Sequence, residues 1–168
     1  MTGPNDDLVV YWDSCIFIAW LTGEQRPAGE QEGIRDCVRK LNKGLVTIVT
    51  SALVNTEVLI GNMPPEAQRK YSRVMRSIEL VDLEPPIIKL AREIREYYQR
   101  EKQAGRQKGV VAAADALHLA TAINRTVDAF YTFDKGTKDK VSLLGLSGNV
   151  AGHSLKICKP PVSQLSLF

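Results

Sequence analysis

At 168 residues, with 44% hydrophobic and 24% charged residues, the chain has enough apolar content for one ordinary α/β core and too little length for two. Its 22 Lys and Arg against 19 Asp and Glu give a net charge of +3, too mild a surplus to mark a nucleic-acid binder by itself. No apolar run approaches the ~18 residues of a bilayer span, the start lacks the basic and apolar stretches of a secretion signal, and Cys15, Cys37 and Cys158 are too scattered for a disulfide framework or a zinc site.

The expected compartment is therefore the cytoplasm, and the three thiols are expected to be packing or surface groups. Leu8-Val9-Val10-Tyr11-Trp12 is a short β-branched and aromatic run that ends abruptly at Asp13, the pattern of a buried strand. Helix-period segments follow at about 14–21 and 29–42, and Leu45 to Thr50 repeats the strand pattern. Helical periodicity returns over about 52–61, 65–77, 86–103 and 111–124, with shorter strand candidates at about 79–83, 129–133 and 155–157. Pro64-Pro65 and Pro85-Pro86 fit helix starts, where a missing N–H costs nothing. Gly105 and Gly109 bracket a basic loop. The glycine-rich stretch from Gly145 to Gly152 reads as a flexible connection, and Pro160-Pro161 opens a polar tail expected to be unstructured. Strands alternating with helices predict a parallel sheet covered on both faces.

In such a sheet, ligands sit beyond the carboxyl ends of the strands, near the point where strand order reverses. Two acids fall at strand ends: Val9 to Trp12 delivers Asp13, and Phe130 to Phe133 delivers Asp134. Two more stand in apolar helix segments. Glu57 is the only ionisable residue between Ser51 and Ile60, and Asp115 is set among Ala112, Ala113, Ala114 and Ala116. A carboxylate so surrounded faces the core, where charge is expensive unless paired or metal-bound. Three of the acids also have a structural reading: Asp13 as an N-cap, Asp134 in a polar turn, Glu57 paired with a buried Arg; Asp115, among alanines, has no local partner. Taken together, four such acids point to a hard divalent cation, which takes oxygen ligands from converging carboxylates. Neutralising them would also enlarge the positive surplus available to a polyanion.

The stretches Tyr11-Trp12-Asp13-Ser14-Cys15, Thr50 to Glu57, Asp115 to Ala122 and Tyr131-Thr132-Phe133-Asp134, in this order, resemble the PIN-domain ribonuclease family, close to its VapC-like toxin branch. The resemblance implies a three-layer α/β/α fold with a five-stranded parallel sheet ordered 3-2-1-4-5. It also implies an endoribonuclease that hydrolyses RNA phosphodiesters with Mg²⁺ or Mn²⁺, and it carries catalytic and metal-ligand roles onto Asp13, Glu57, Asp115 and Asp134. As the toxin of a type II toxin–antitoxin pair, such a protein would bind RNA as substrate and a cognate antitoxin as inhibitor, and would form a homodimer, with no membrane association. The domain is then drawn at residues 8–158, with a flexible N-terminus at 1–7 and a C-terminal tail at 159–168. Many members carry a further acid two residues after the fourth; here that position is Gly136, and Asp139 is the nearest substitute.

Supporting residues come next. Ser14 matches a family position that hydrogen-bonds to the first Asp, and Thr132 leads into Asp134. His118 lies three residues beyond Asp115, on roughly the same helix face. Lys135, Arg106 and Lys108 are candidates for gripping RNA phosphates, against the bland reading of a solvated basic face. Two alternatives remain: a catalytically inactive PIN-fold scaffold or RNA-binding protein, and a phosphatase using Asp13 as nucleophile. The second would be expected to have another Asp where Cys15 stands.

Overall fold

A computed structural model describes residues 8–162. The expected flexible N-terminus at 1–7 and the last six residues of the expected tail lie outside the described residues.

Five parallel strands form one sheet in the order β3-β2-β1-β4-β5, with β1 Leu8–Trp12, β2 Val46–Ser51, β3 Glu79–Val81, β4 Ala129–Tyr131 and β5 Ile157–Cys158. The central strand, β1, pairs with β2 through Leu8↔Val46 and with β4 through Val10↔Ala129. The sheet grows to one side from β1 to β3, then resumes on the other side at β4. The strand order therefore reverses between β1 and β4, which opens a crevice at their carboxyl ends.

Alternation along β1 divides the interior into two cores. Val10 and Trp12 face a core with Ile16, Phe17 and Trp20 of α1 (Ser14–Thr22), Ile34 of α2 (Glu30–Asn42) and Tyr71 of α4 (Pro65–Met75). Tyr11 faces the other core, built with Ile87 and Ile94 of α5 (Pro85–Gln103) and Leu119 of α6 (Ala113–Asn124). There it stacks on Phe130 of β4 at a centroid distance of 4.9 Å and an interplanar angle of 8°. The three-layer α/β/α arrangement follows, as the alternating strand and helix patterns predicted. No helix among the described residues is long and apolar enough to cross a membrane.

The sequence reading and the structure part at several places. The helix expected over 52–61 is broken: α3 spans only Val54–Glu57, Val58 turns extended, and a 3-10 turn follows at Ile60–Asn62. Val54, Thr56, Val58 and Ile60 are β-branched and disfavour a continuous helix, and Val58 is drawn into the core while Leu59 is left exposed. The stretch expected as a flexible connection is packed instead. A 3-10 turn at Leu144–Leu146 leads into it, a bridge joins Val150 to His153, and Leu146 and Val150 are buried.

The tail expected to begin unstructured is also seated at its start. Lys159 Nζ lies 2.6 Å from Glu30 Oε1, and buried Pro160 lies against Gly33 of α2. A Cβ at Gly33 would stand 2.1 Å from the Pro160 carbonyl oxygen, so glycine is required for this approach. Burial raises the Glu30 carboxyl, but hydrogen bonds from Lys159 and Arg26 outweigh it and hold the group below its ordinary value. Its contribution to stability is present above the unfolded value of about 4.3 and is lost as pH falls through the lower folded value.

Two outcomes follow. Gly33→Ala, which in an isolated helix would stabilise by about 1 kcal/mol, should here lower Tm by roughly 3–10 °C, measured by thermal denaturation. Lys159→Ala should reduce stability near neutral pH and flatten the loss on acidification below about pH 5, measured by urea unfolding across pH.

Candidate functional site

The four acids lie along one end of the sheet and are joined by hydrogen bonds and ion pairs. Asp13 follows β1 and caps α1, its Oδ1 accepting the Ser14 main-chain N–H at 2.8 Å. This is the capping role considered for it, and it leaves Oδ2 turned toward β4. There Thr132 Oγ1 donates to Asp13 Oδ2 at 2.7 Å and accepts the Asp134 N–H at 3.0 Å. One buried hydroxyl thus ties the acid after β1 to the acid beyond β4. Asp134 Oδ1 also accepts from the Gly136 N–H, so the polar-turn reading holds alongside this link.

Cys15 Sγ lies 3.5 Å from Asp13 Oδ2 and 3.4 Å from Thr132 Oγ1, and accepts the Phe133 N–H. Burial is the main cause that pushes its thiol up to about 12, so it remains a neutral packing and hydrogen-bonding group. The supporting role expected of Ser14 falls to its main-chain N–H, since among the described residues its hydroxyl has no partner.

Glu57, at the end of α3, pairs with His118 rather than with an arginine. His118 is fully buried on α6; its Nε2 donates to Glu57 Oε2 at 2.5 Å and stands 3.9 Å from Asp13 Oδ1. Its Nδ1 lies 2.6 Å from the Tyr11 hydroxyl, which accepts the Ser51 N–H at 3.0 Å. A chain of hydrogen bonds therefore runs from β2 through β1 and α6 to Glu57. Burial disfavours the imidazolium, but the Glu57 hydrogen bond and the charges of Asp13, Glu57 and Asp115 prevail and raise its pKa above the ordinary histidine value.

Asp115 sits in the first turn of α6, and its partner comes from the loop after β4. Lys140 Nζ lies 2.8 Å from Asp115 Oδ2 and 3.1 Å from Asp134 Oδ2, bridging the two carboxylates. Burial raises the Asp115 pKa, Lys140 opposes the shift, and the charges of Asp13 and Asp134 add to it. Asp115 Oδ2 is in ionic contact with the ammonium, yet no donor is aligned on it as in a regular hydrogen bond.

The other candidates lie apart from this network. Lys135 and Lys108 are exposed, and Arg106 is engaged by Glu101 through Nη2 at 2.7 Å and Nε at 2.9 Å. Asp139 is exposed and reaches none of the four acids; among the described residues its main-chain carbonyl accepts from the Val110 N–H. Sequence reasoning missed Lys140, Tyr11 and Cys15. The signal for Cys15 was its place two residues after Asp13. For Lys140 there was none beyond a basic residue in a polar loop.

Among the described residues, no three His, Cys, Asp or Glu side chains surround a common point as the ligands of one ion would. The donor chemistry nevertheless fits a hard divalent cation, because every acid in the network offers carboxylate oxygen. The buried Asp115 Oδ2 is held against the Lys140 ammonium at 2.8 Å, so this position already accommodates positive charge.

Fold and site define a three-layer α/β/α protein with an acidic cluster at the topological switch point of its sheet. The PIN domain family model matches residues 10–141, so the chain belongs to the PIN domain family. Among the solved structures that share its fold are the following two. VapBC2 from Rickettsia felis, bound to a DNA fragment from their promoter, is 14% identical with a TM-score of 0.62, over 89% of this chain and 98% of the other. A toxin-antitoxin complex from Klebsiella pneumoniae is 16% identical with a TM-score of 0.55, over 90% of this chain and 97% of the other. No curated protein matches the sequence.

Thr132→Val should leave the buried Asp13 Oδ2 without its hydroxyl donor and cost about 1–3 kcal/mol in chemical denaturation. Tyr11→Phe should cost a similar amount by orphaning the Ser51 N–H and His118 Nδ1, and His118 ring-nitrogen NMR shifts should move with it.

Proposed function

We propose that this chain is a divalent-metal-dependent endoribonuclease and the toxin of a toxin–antitoxin pair. The observation that carries the reading is the continuous network joining Asp13, Asp134, Asp115 and Glu57 at the crevice between β1 and β4. Membership of the PIN family and two fold relatives, VapBC2 and a structure described as a toxin-antitoxin complex, support it.

Asp13, Asp115, Asp134 and Glu57 would hold Mg²⁺ or Mn²⁺. A bound divalent cation supplies acidification of water and charge stabilisation at a phosphodiester. The rest falls to the protein. Thr132 and Cys15 fix the direction in which Asp13 presents its carboxylate, and His118 does the same for Glu57. Lys135, with Arg106 and Lys108 on the basic loop, would grip RNA phosphates around the acidic crevice. An antitoxin would inhibit by covering the crevice, and a second copy of the chain completes the proposed assembly.

A scaffold without catalysis is the second reading, favoured by one observation: the acids have not gathered into a ligand trio among the described residues.

The test is cleavage of a labelled mixed-sequence RNA by the purified protein and its Asp115→Asn variant, with Mg²⁺, with Mn²⁺ and with chelator. Cutting that requires metal and falls at least about a hundred-fold in the variant is expected. Folded wild-type protein that binds Mn²⁺ yet cuts no RNA would favour the scaffold.

A further inference from the structure

We infer that Lys140 is a built-in counter-ion which a divalent cation must displace before the acidic site can fill; the inference rests on the proposed metal site. Its ammonium lies within 3.1 Å of carboxylate oxygens from both Asp115 and Asp134, two of the four acids offered as ligands. An ammonium and a divalent cation cannot share this position: each needs the same oxygen lone pairs, and their charges repel.

The loop holds the Lys140 backbone in place. Val110 N donates to the Asp139 carbonyl and Val141 N donates to the Val110 carbonyl, so Lys140 is bracketed by a parallel bridge. Gly109 packs so closely that a Cβ there would stand 2.9 Å from the Lys140 carbonyl carbon. Gly136, at φ +75°, closes the other side, where a Cβ would stand 2.7 Å from the Lys140 carbonyl oxygen. What can move is the flexible four-carbon stem of the side chain. It is 35% exposed and has an open route to solvent.

The arrangement accounts for two features at once. It compensates a buried carboxylate while no metal is bound, and it keeps the acids from closing into an ion-binding trio. Lys140 therefore sets the metal concentration at which the site fills. It is a competitor for the site and not a catalytic residue.

The experiment is Mn²⁺ binding to the full-length protein, read from the electron paramagnetic resonance of free Mn²⁺, for wild type, Lys140→Met and Lys138→Met. Lys138 is exposed on the same loop, so its variant removes the same charge without touching the acids. Lys140→Met should bind Mn²⁺ on the order of ten-fold more tightly, and Lys138→Met within about two-fold of wild type. Equal or weaker binding by Lys140→Met overturns the inference while leaving the metal site standing. Equal tightening by both variants also overturns it, since bulk charge then explains the effect. Folded proteins that all bind no Mn²⁺ overturn the metal site and the inference with it.

A second measurement uses the wild type alone and does not depend on a variant folding. Acetylation of lysine amines, followed by mass spectrometry, should modify Lys140 slowly in chelator and several-fold faster with saturating Mg²⁺. An unchanged Lys140 rate at saturation contradicts displacement.

Discussion

Like charges brought together at the end of a buried sheet repel one another, and the organisation of this end of the molecule answers that constraint. Asp13, Asp115, Asp134 and Glu57 each have a compensating partner: a hydroxyl and an N-terminal helix amide, an ammonium, that same ammonium, and an imidazole. Without them the burial of Asp115 and Asp13 would be unfavourable by several kcal/mol. The compensation at Asp115 Oδ2 comes from the mobile Lys140 side chain and not from the fixed backbone.

The scaffold sets where that charge gathers. Parallel strands buried on both faces send their carboxyl ends the same way, and the reversal of strand order at β1 and β4 leaves room between the segments that follow them. The two cores hold β1 rigidly from either side through Trp12 and Tyr11. Tyr11 does double service, since its ring stacks in one core while its hydroxyl reaches His118 and so orients Glu57. Packing and polar chemistry are thereby coupled in one side chain.

Much of this was legible in the sequence because it depends on local pattern. A β-branched run ending in an acid marks both the strand and its mouth, which located Asp13 and Asp134; alanines around Asp115 marked a carboxylate with no local partner. The strand order came from the family resemblance, and the structure has it. What escaped depends on contacts distant in sequence. Lys140 meets Asp115 across 24 intervening residues, and Lys135, the nearer candidate, points to solvent. The break after Glu57 was hidden because an apolar period survives in a segment whose β-branched residues cannot sustain a helix. The seating of Pro160 on Gly33 left only an unremarkable glycine in an amphipathic helix.

The most direct measurement is anomalous diffraction from a crystal of the full-length protein soaked in Mn²⁺. The account predicts a manganese peak within bonding distance of carboxylate oxygens from Asp115 and Asp134, with the Lys140 ammonium withdrawn toward solvent. A well-ordered site at saturating Mn²⁺ with no peak, and with Lys140 still bridging the two carboxylates, would contradict it.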